Sequence, residues 1–338
     1  MANGSSGRSR KVRGRTVSRS RAEKRRNARA EKRIRRASEA SDGDSPTQSP
    51  DDVRPEPFVT TDEIAELETR ITTWLAADQP VHLIGPTGCG KTALALHAAA
   101  ARDRPVVWIN GDSAVDTAAL VGDHAGGERY TERDEYVSGV RKETEIVRER
   151  WVDNPLSVAV SDGATLVYNE FSRTNPTAHN VLLSVFEEGV LDRPGKRGES
   201  RQLDVHPEFG AILTSNSAEY AGVHDQQQAL LDRFVGVHVD YYDEETEREI
   251  VAAHVDAPSA LIERLVSITR ALREGLDITV GTRVAITAAT GALAFGADEE
   301  GDVDRERLVD VFTDVLIPTV ANGSDPTELR PTIESTID

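Results

Sequence analysis

Cysteine is all but missing from this 338-residue chain: Cys89 stands alone. No intrachain disulfide can form, and no cluster of thiolates can hold a metal. Histidine is sparse as well. The eight histidines, at positions 82, 97, 124, 179, 206, 224, 238 and 254, include no pair three or four residues apart, so no helix face offers two imidazoles to zinc. Long apolar runs are also lacking. No segment approaches the ~18 continuous apolar residues that span a bilayer. The arginine-rich N-terminus is followed by no apolar stretch of the secretory type, so a cytoplasmic protein without a transmembrane segment is expected.

Lysine is scarce after residue 40, where only Lys91, Lys142 and Lys196 occur. The formal net charge of −18 hides two opposed regions. Residues 1–40 carry 15 Lys+Arg against 3 Asp+Glu, a net of +12, which leaves 25 against 55, a net of −30, for residues 41–338. A body this acidic repels itself in dilute buffer but is hydrated and screened at molar salt, where the Debye length is roughly 3 Å. A halophilic cytoplasm is therefore expected, with an ordinary acidic protein as the alternative.

With 38% apolar residues the chain can bury a large domain and a smaller one. Residues 1–57, rich in Arg, Ser, Gly and Pro, read as a disordered basic and polar tail. Inside it Arg21-Ala22-Glu23-Lys24-Arg25 recurs as Arg29-Ala30-Glu31-Lys32-Arg33. Such a repeat could meet nucleic acid, yet affinity from counterion release collapses with salt. Nucleic acid is thus not favoured over an acidic protein partner or the protein's own acidic body. Folded structure is expected from Phe58, with a helix running from a capping box at Thr60 and Glu63 through Ile64, Leu67, Ile71 and Leu75.

Short apolar runs then alternate with helical stretches: Val81–Ile84, Val106–Asn110, Thr165–Tyr168, Ala211–Thr214 and Val235–Val239. That alternation predicts an α/β domain over 58–242, a parallel sheet flanked by helices. After Tyr242 the strand signals stop. Amphipathic helices over Ala260–Arg273, Arg283–Ala294 and Arg305–Val320 predict a helical lid, 243–322, before a flexible C-terminus, 323–338.

The most telling motif is Gly85-Pro86-Thr87-Gly88-Cys89-Gly90-Lys91-Thr92, between an apolar strand pattern and a helical one. Successive backbone N–H groups there can turn inward around a phosphate, and glycines leave room for it. Lys91 would reach the β- and γ-phosphate oxygens of ATP, and Thr92 would offer its hydroxyl to Mg²⁺. A second site for metal and water is needed at a neighbouring strand end. Leu166-Val167-Tyr168-Asn169-Glu170 fits, with Glu170 as catalytic base and Asn169 where a metal-associated Asp is expected; an amide brings no charge, so catalysis is expected to be slow. Ala211 to Asn216 is a further strand ending in an amide suited to the attacking water. Arg233 lies in Leu230-Leu231-Asp232-Arg233-Phe234, and Arg283 opens a lid helix.

Together these residues resemble the AAA+ superfamily, in its MoxR-like branch, and are most similar to the gas vesicle protein N family. The likeness rests on the GPTGCGKT loop, the T-L-V-Y-N-E-F segment, the L-T-S-N run and the L-L-D-R-F box, spanning about Phe58 to Val320; Asn169 departs from the family's usual Asp. The resemblance implies a P-loop ATPase domain with a small C-terminal lid, using ATP and Mg²⁺. It makes Asn216 a sensor of the γ-phosphate, Arg283 a second sensor, and Arg233 a finger completing a neighbour's site. A trans finger implies a homo-oligomeric ring, and the family implies a hexamer. Two inserts, the charged stretch 126–150 and a hairpin over 193–207 turned by Pro194-Gly195-Lys196-Arg197-Gly198, could act on a partner or be solvated loops. The implied function is remodelling that assists gas vesicle assembly or enlargement, with shell or accessory proteins as partners and the vesicle surface as one location. A general MoxR-type chaperone and a nucleotide-gated binding module with marginal hydrolysis are the alternatives.

Overall fold

The computed structural model describes residues 11–12, 15–17, 46–134, 142–217, 230–276, 278–298, 300–320 and 326–337. In chain order its first elements are β1 (Lys11–Val12), β2 (Arg15–Val17), β3 (Thr47–Gln48), α1 (Pro50–Val53), α2 (Asp62–Ala76), β4 (Val81–Gly85), α3 (Lys91–Ala101), β5 (Val106–Asn110) and α4 (Thr117–Val121). A long hairpin, β6 (Gly122–Asp134) and β7 (Lys142–Asp153), leads to α5 (Pro155–Asp162), β8 (Thr165–Asn169) and α6 (Asn180–Glu187). The domain ends with β9 (Val190–Asp192), β10 (Gln202–Asp204), β11 (Gly210–Asn216) and β12 (Val235–His238). A helical unit follows: α7 (Glu244–His254), α8 (Ser259–Gly275), α9 (Thr282–Ala294), α10 (Arg305–Val320) and α11 (Pro326–Thr336).

The main sheet runs β12-β4-β11-β8-β5-β3, parallel throughout except for β3 at one edge. The central strands β4, β8 and β11 are covered on both faces and hence mostly apolar, whereas towards the edges Trp108 of β5 and Gly236 and His238 of β12 are exposed. Alternate residues serve opposite cores. Val81, Leu83, Val106, Val167, Ile212 and Val237 pack with α2 and α3. Val107, Leu166, Tyr168, Ala211 and Leu213 pack with α4, α5 and α6. Helix α3 is alanine-rich, and Ala95, Ala98 and Ala99 are fully buried, so the helix that follows the phosphate loop lies close on the sheet. The lid has a core of its own, built on Leu261, Leu265, Leu272, Ala288, Leu308, Phe312 and Leu316. Among the described residues no helix is long and apolar enough to cross a membrane.

Two expected boundaries shift. Residues 47–53 belong to the folded domain rather than to a tail ending at 57. β3 pairs antiparallel with β5 through Thr47 and Gln48, and α1 begins with the Ser49 side chain accepting from Asp52 N and buries Val53. In addition, β2 runs antiparallel to β6. The repeat at 21–25 and 29–33 lies outside the described residues. At the other end, residues 326–336 form a helix, not a flexible terminus: Leu329 and Ile333 enter the lid core, and Arg330 bonds Asp310 of α10 at 2.6 Å. The charged stretch 126–150 falls within the antiparallel β6–β7 pair, and the second hairpin pairs β9 with β10, so that it spans 190–204 rather than the expected 193–207.

Candidate functional site

The site forms at the C-terminal edge of the parallel strands, where an open α/β sheet exposes its carboxyl ends. β4 and β11 stay in register to their last residues, Gly85 beside Asn216, and β5 and β8 likewise, Asn110 beside Asn169. Between β4 and α3 the loop turns through left-handed conformations at Gly88 (φ +81°) and Gly90 (φ +93°), which L side chains rarely adopt. At Gly85 the constraint is close approach: a Cβ there would lie 1.8 Å from the Val239 carbonyl oxygen. The Lys91 side chain is buried against the loop, with Nζ donating to the carbonyls of Gly85 at 3.0 Å and Pro86 at 2.6 Å. Cys89 lies behind the loop, its Sγ donating to Val239 O at 3.4 Å, and burial pushes its thiol pKa up. It packs rather than reacts.

Asn169 gathers the strand ends. Its Oδ1 accepts from Thr92 Oγ1 at 2.6 Å and from Thr214 Oγ1 at 2.9 Å, while its Nδ2 donates to Asn110 Oδ1 at 3.0 Å. One amide thus ties β5, β8, β11 and the first turn of α3. Thr92 and Asn169 present oxygens of the kind that Mg²⁺ takes while it keeps several waters, so this donor set fits the ion. Glu170 follows in the left-handed region at φ 51°, uncommon for a residue with a Cβ, and its N–H donates to Thr214 Oγ1 at 3.0 Å. Gly111 makes room for that turn, since a Cβ on it would sit 2.3 Å from the Glu170 carbonyl oxygen. The Glu170 carboxylate accepts from Arg173 Nη1 at 2.5 Å.

A single cleft is lined by Thr87, Gly88, Gly90, Lys91, Thr92, Asn169, Glu170, Thr214, Asn216 and Arg283. The loop, the Asn169-Glu170 pair, Asn216 and the lid arginine singled out in the sequence therefore converge. Arg233 does not line it. It follows α6 in space, ion-paired with Glu187, about one-third exposed. Thr214, Asn110 and Gly111 were not singled out. The first stands beside Asn216 in its run, and the second ends an apolar strand in an amide as Asn169 does, which was the available signal. Behind the site His82 is buried, its Nε2 2.8 Å from Ser215 Oγ, and desolvation lowers its pKa to about 4.

Comparison with known proteins agrees with the fold. Residues 80–234 match the model of the AAA domain (dynein-related subfamily). Over 339 residues the chain is 55% identical to gas vesicle ATPase GvpN2 of Halobacterium salinarum, covering 98% of this chain and 96% of that protein. It is 60% identical to gas vesicle ATPase GvpN of Haloferax mediterranei, over 83% of this chain and 80% of that one. A more distant relative, gas vesicle ATPase GvpN of Ancylobacter aquaticus, is 40% identical over 79% of this chain and 74% of its own.

Proposed function

The chain belongs to the GvpN family of gas vesicle ATPases, and from that premise we propose that it is an ATP-driven remodelling protein that assists assembly or enlargement of the gas vesicle shell. The observation that carries the nucleotide chemistry is the Thr92–Asn169 bond at the mouth of a glycine cradle, within a cleft shared by Lys91, Glu170, Asn216 and Arg283. In this reading the loop N–H groups and the N-terminus of α3 hold the β-phosphate, and Lys91 leaves its two carbonyl partners to bind the β- and γ-oxygens. Thr92 and Asn169 hold Mg²⁺, which supplies charge neutralisation across the phosphates when bound. Asn216 orients the attacking water, Glu170 accepts its proton, and Arg283 meets the γ-phosphate from the lid.

Glu170 can act as base only when it turns away from Arg173, and Asn169 brings no charge to the metal. Both features favour slow turnover, so that the ATP-bound state persists. Arg233, outside the cleft, is assigned to a neighbouring subunit's site, which requires a ring closed by rotation, taken as a hexamer. The β6–β7 and β9–β10 hairpins are the parts that meet shell or accessory proteins, and the protein works in the cytoplasm at the vesicle surface. Turnover is measured at molar KCl for the wild type and Lys91→Ala, and the same gene is asked to replace the wild type in vesicle-forming cells. Loss of nucleotide binding together with loss of mature vesicles is expected. Normal vesicles from a folded, non-binding Lys91→Ala protein would sink the proposal.

A further inference from the structure

Among the described residues Glu247 is the most deeply buried carboxylate, its side chain only 2% exposed, in the first turn of α7. Burying a lone carboxylate costs several kcal/mol, offset only where charge partners and hydrogen bonds are well placed. Here they are. Arg273 Nη2 of α8 lies 2.7 Å from Oε1, Arg270 Nη1 lies 2.9 Å from Oε2, and Thr282 Oγ1 donates to Oε1 at 2.7 Å. Both arginines are held further, Arg270 by the Tyr242 carbonyl at 3.0 Å and Arg273 Nε by the Val280 carbonyl at 2.7 Å.

The cluster reaches the cleft from two sides. The Arg273 guanidinium lies 3.9 Å over the ring of Tyr241, whose hydroxyl donates to the Thr87 carbonyl of the phosphate loop at 3.2 Å. On the other side Thr282 stands between Arg283, which lines the cleft, and Gly281, which lies back to back with Gly88. A Cβ on Gly281 would come within 2.8 Å of Gly88 Cα, so the start of α9 rests directly on the loop. One carboxylate therefore holds both the residue that places Arg283 and the arginine that stacks on the loop's tyrosine.

We propose that Glu247 is a positioning residue of the nucleotide site: through Thr282 it fixes where Arg283 enters the cleft, and through Arg273 and Tyr241 it ties that placement to the Thr87 carbonyl. The inference rests on the nucleotide reading of the cleft. Its content is that loop and lid arginine adjust as one unit when phosphate occupies the loop. Mutations along such a chain of contacts change coupling by about 0.5–2 kcal/mol, or roughly 2- to 30-fold in a rate or affinity.

The test uses the full chain at molar KCl and avoids the core substitution, which endangers folding. Tyr241→Phe removes only the hydroxyl on Thr87, Thr282→Val removes only the donor to Glu247, and Thr282→Ser restores that donor. Melting temperature, binding of a fluorescent ATP analogue, kcat and KM, and amide exchange of residues 281–286 with and without Mg-ATP are measured. Tyr241→Phe is expected to melt near the wild type and Thr282→Val a few degrees below it; both are expected to lose the ATP-induced protection at 281–286 and to lose kcat by more than they gain in KM. Thr282→Ser should recover both. Wild-type kcat and protection in both variants would overturn the inference while leaving nucleotide binding intact. A wild type that binds no nucleotide would instead overturn the reading of the cleft, and the inference with it.

Discussion

Replacing Asn169 by aspartate isolates the charge at the strand-end site with little change of shape. The two bonds that Oδ1 accepts, from Thr92 and Thr214, survive in a carboxylate. The bond that Nδ2 gives to Asn110 Oδ1 at 3.0 Å is lost, a cost of about 0.5–1.5 kcal/mol, reduced if the exposed Asn110 amide turns its own nitrogen inward. Against that stands a new negative charge beside the Mg²⁺ ligands. A single and a double charge about 4 Å apart attract by roughly 8 kcal/mol at an effective dielectric of 20, before dehydration is subtracted. If a fifth of that remains, Mg²⁺ binds about fifteenfold more tightly. Turnover gains only the part expressed in the transition state, where oriented groups of this kind commonly change rates by about 10- to 1000-fold. Asn169→Asp should therefore lower the Mg²⁺ concentration giving half-maximal activity at least tenfold and raise kcat, with a melting temperature within a few degrees of wild type. Partly buried pairs escape most salt screening, so the effect should persist at molar KCl. Unchanged Mg²⁺ dependence and unchanged kcat would refute the placement of Asn169 at the metal.

Three further outcomes are expected. Arg233→Ala should bind ATP but not turn it over, and mixing it with Glu170→Gln should restore part of the activity; demonstrably mixed assemblies without rescue would show that Arg233 acts in its own subunit or only braces Glu187. Val53→Ala should lower stability by about 1.5–3 kcal/mol in denaturant titrations, because α1 is part of the domain, whereas an unaffected midpoint would detach that helix from the core. Acid should weaken the fold through His82: its pKa is about 4 when folded and near 6.5 when unfolded, so its contribution is complete above pH 6.5 and is lost as pH falls towards 4. The loss amounts to about 3 kcal/mol, and His82→Gln should flatten that part of the stability profile if the histidine is responsible.

The five parallel strands were legible because each is a short, mostly apolar run bounded by polar residues, the pattern expected most plainly of β4, β8 and β11, which are buried on both faces. Helices α8, α9 and α10 were legible from their period. Helix α7 was not: Glu244 to Glu249 is almost wholly charged, and its reason for folding is the Asp243 cap together with partners on α8 and α9 that no local window contains. The two-residue strand β3 carries no apolar residue at all, so its place depends only on the free edge of β5. Helix α11 offers just Leu329 and Ile333, and although Pro326 suits a helix's first position, Pro331 inside it argues against a helix. In the site, Lys91, Thr92, Asn169, Glu170, Asn216 and Arg283 were found through their motifs, whereas Asn110, Gly111 and Thr214, the last inside the L-T-S-N run, matter through contacts with Asn169 and Glu170 that arise only when the strands are side by side.

The antiparallel strand β3 has a consequence for life in concentrated salt. Screening removes the mutual repulsion that keeps such an acidic protein dispersed, and excluded salts strengthen apolar association. Under those conditions an open strand edge is a template on which a second molecule can add. Thr47 and Gln48 occupy the outer hydrogen bonds of Val106 and Val107, the most apolar part of β5, with two side chains that offer nothing for a neighbouring sheet to bury. A chain trimmed before residue 49 would keep its cleft, its lid and its motifs, but with β1, β2 and β3 gone it would present the Val106–Val107 edge of β5 open to a neighbouring sheet.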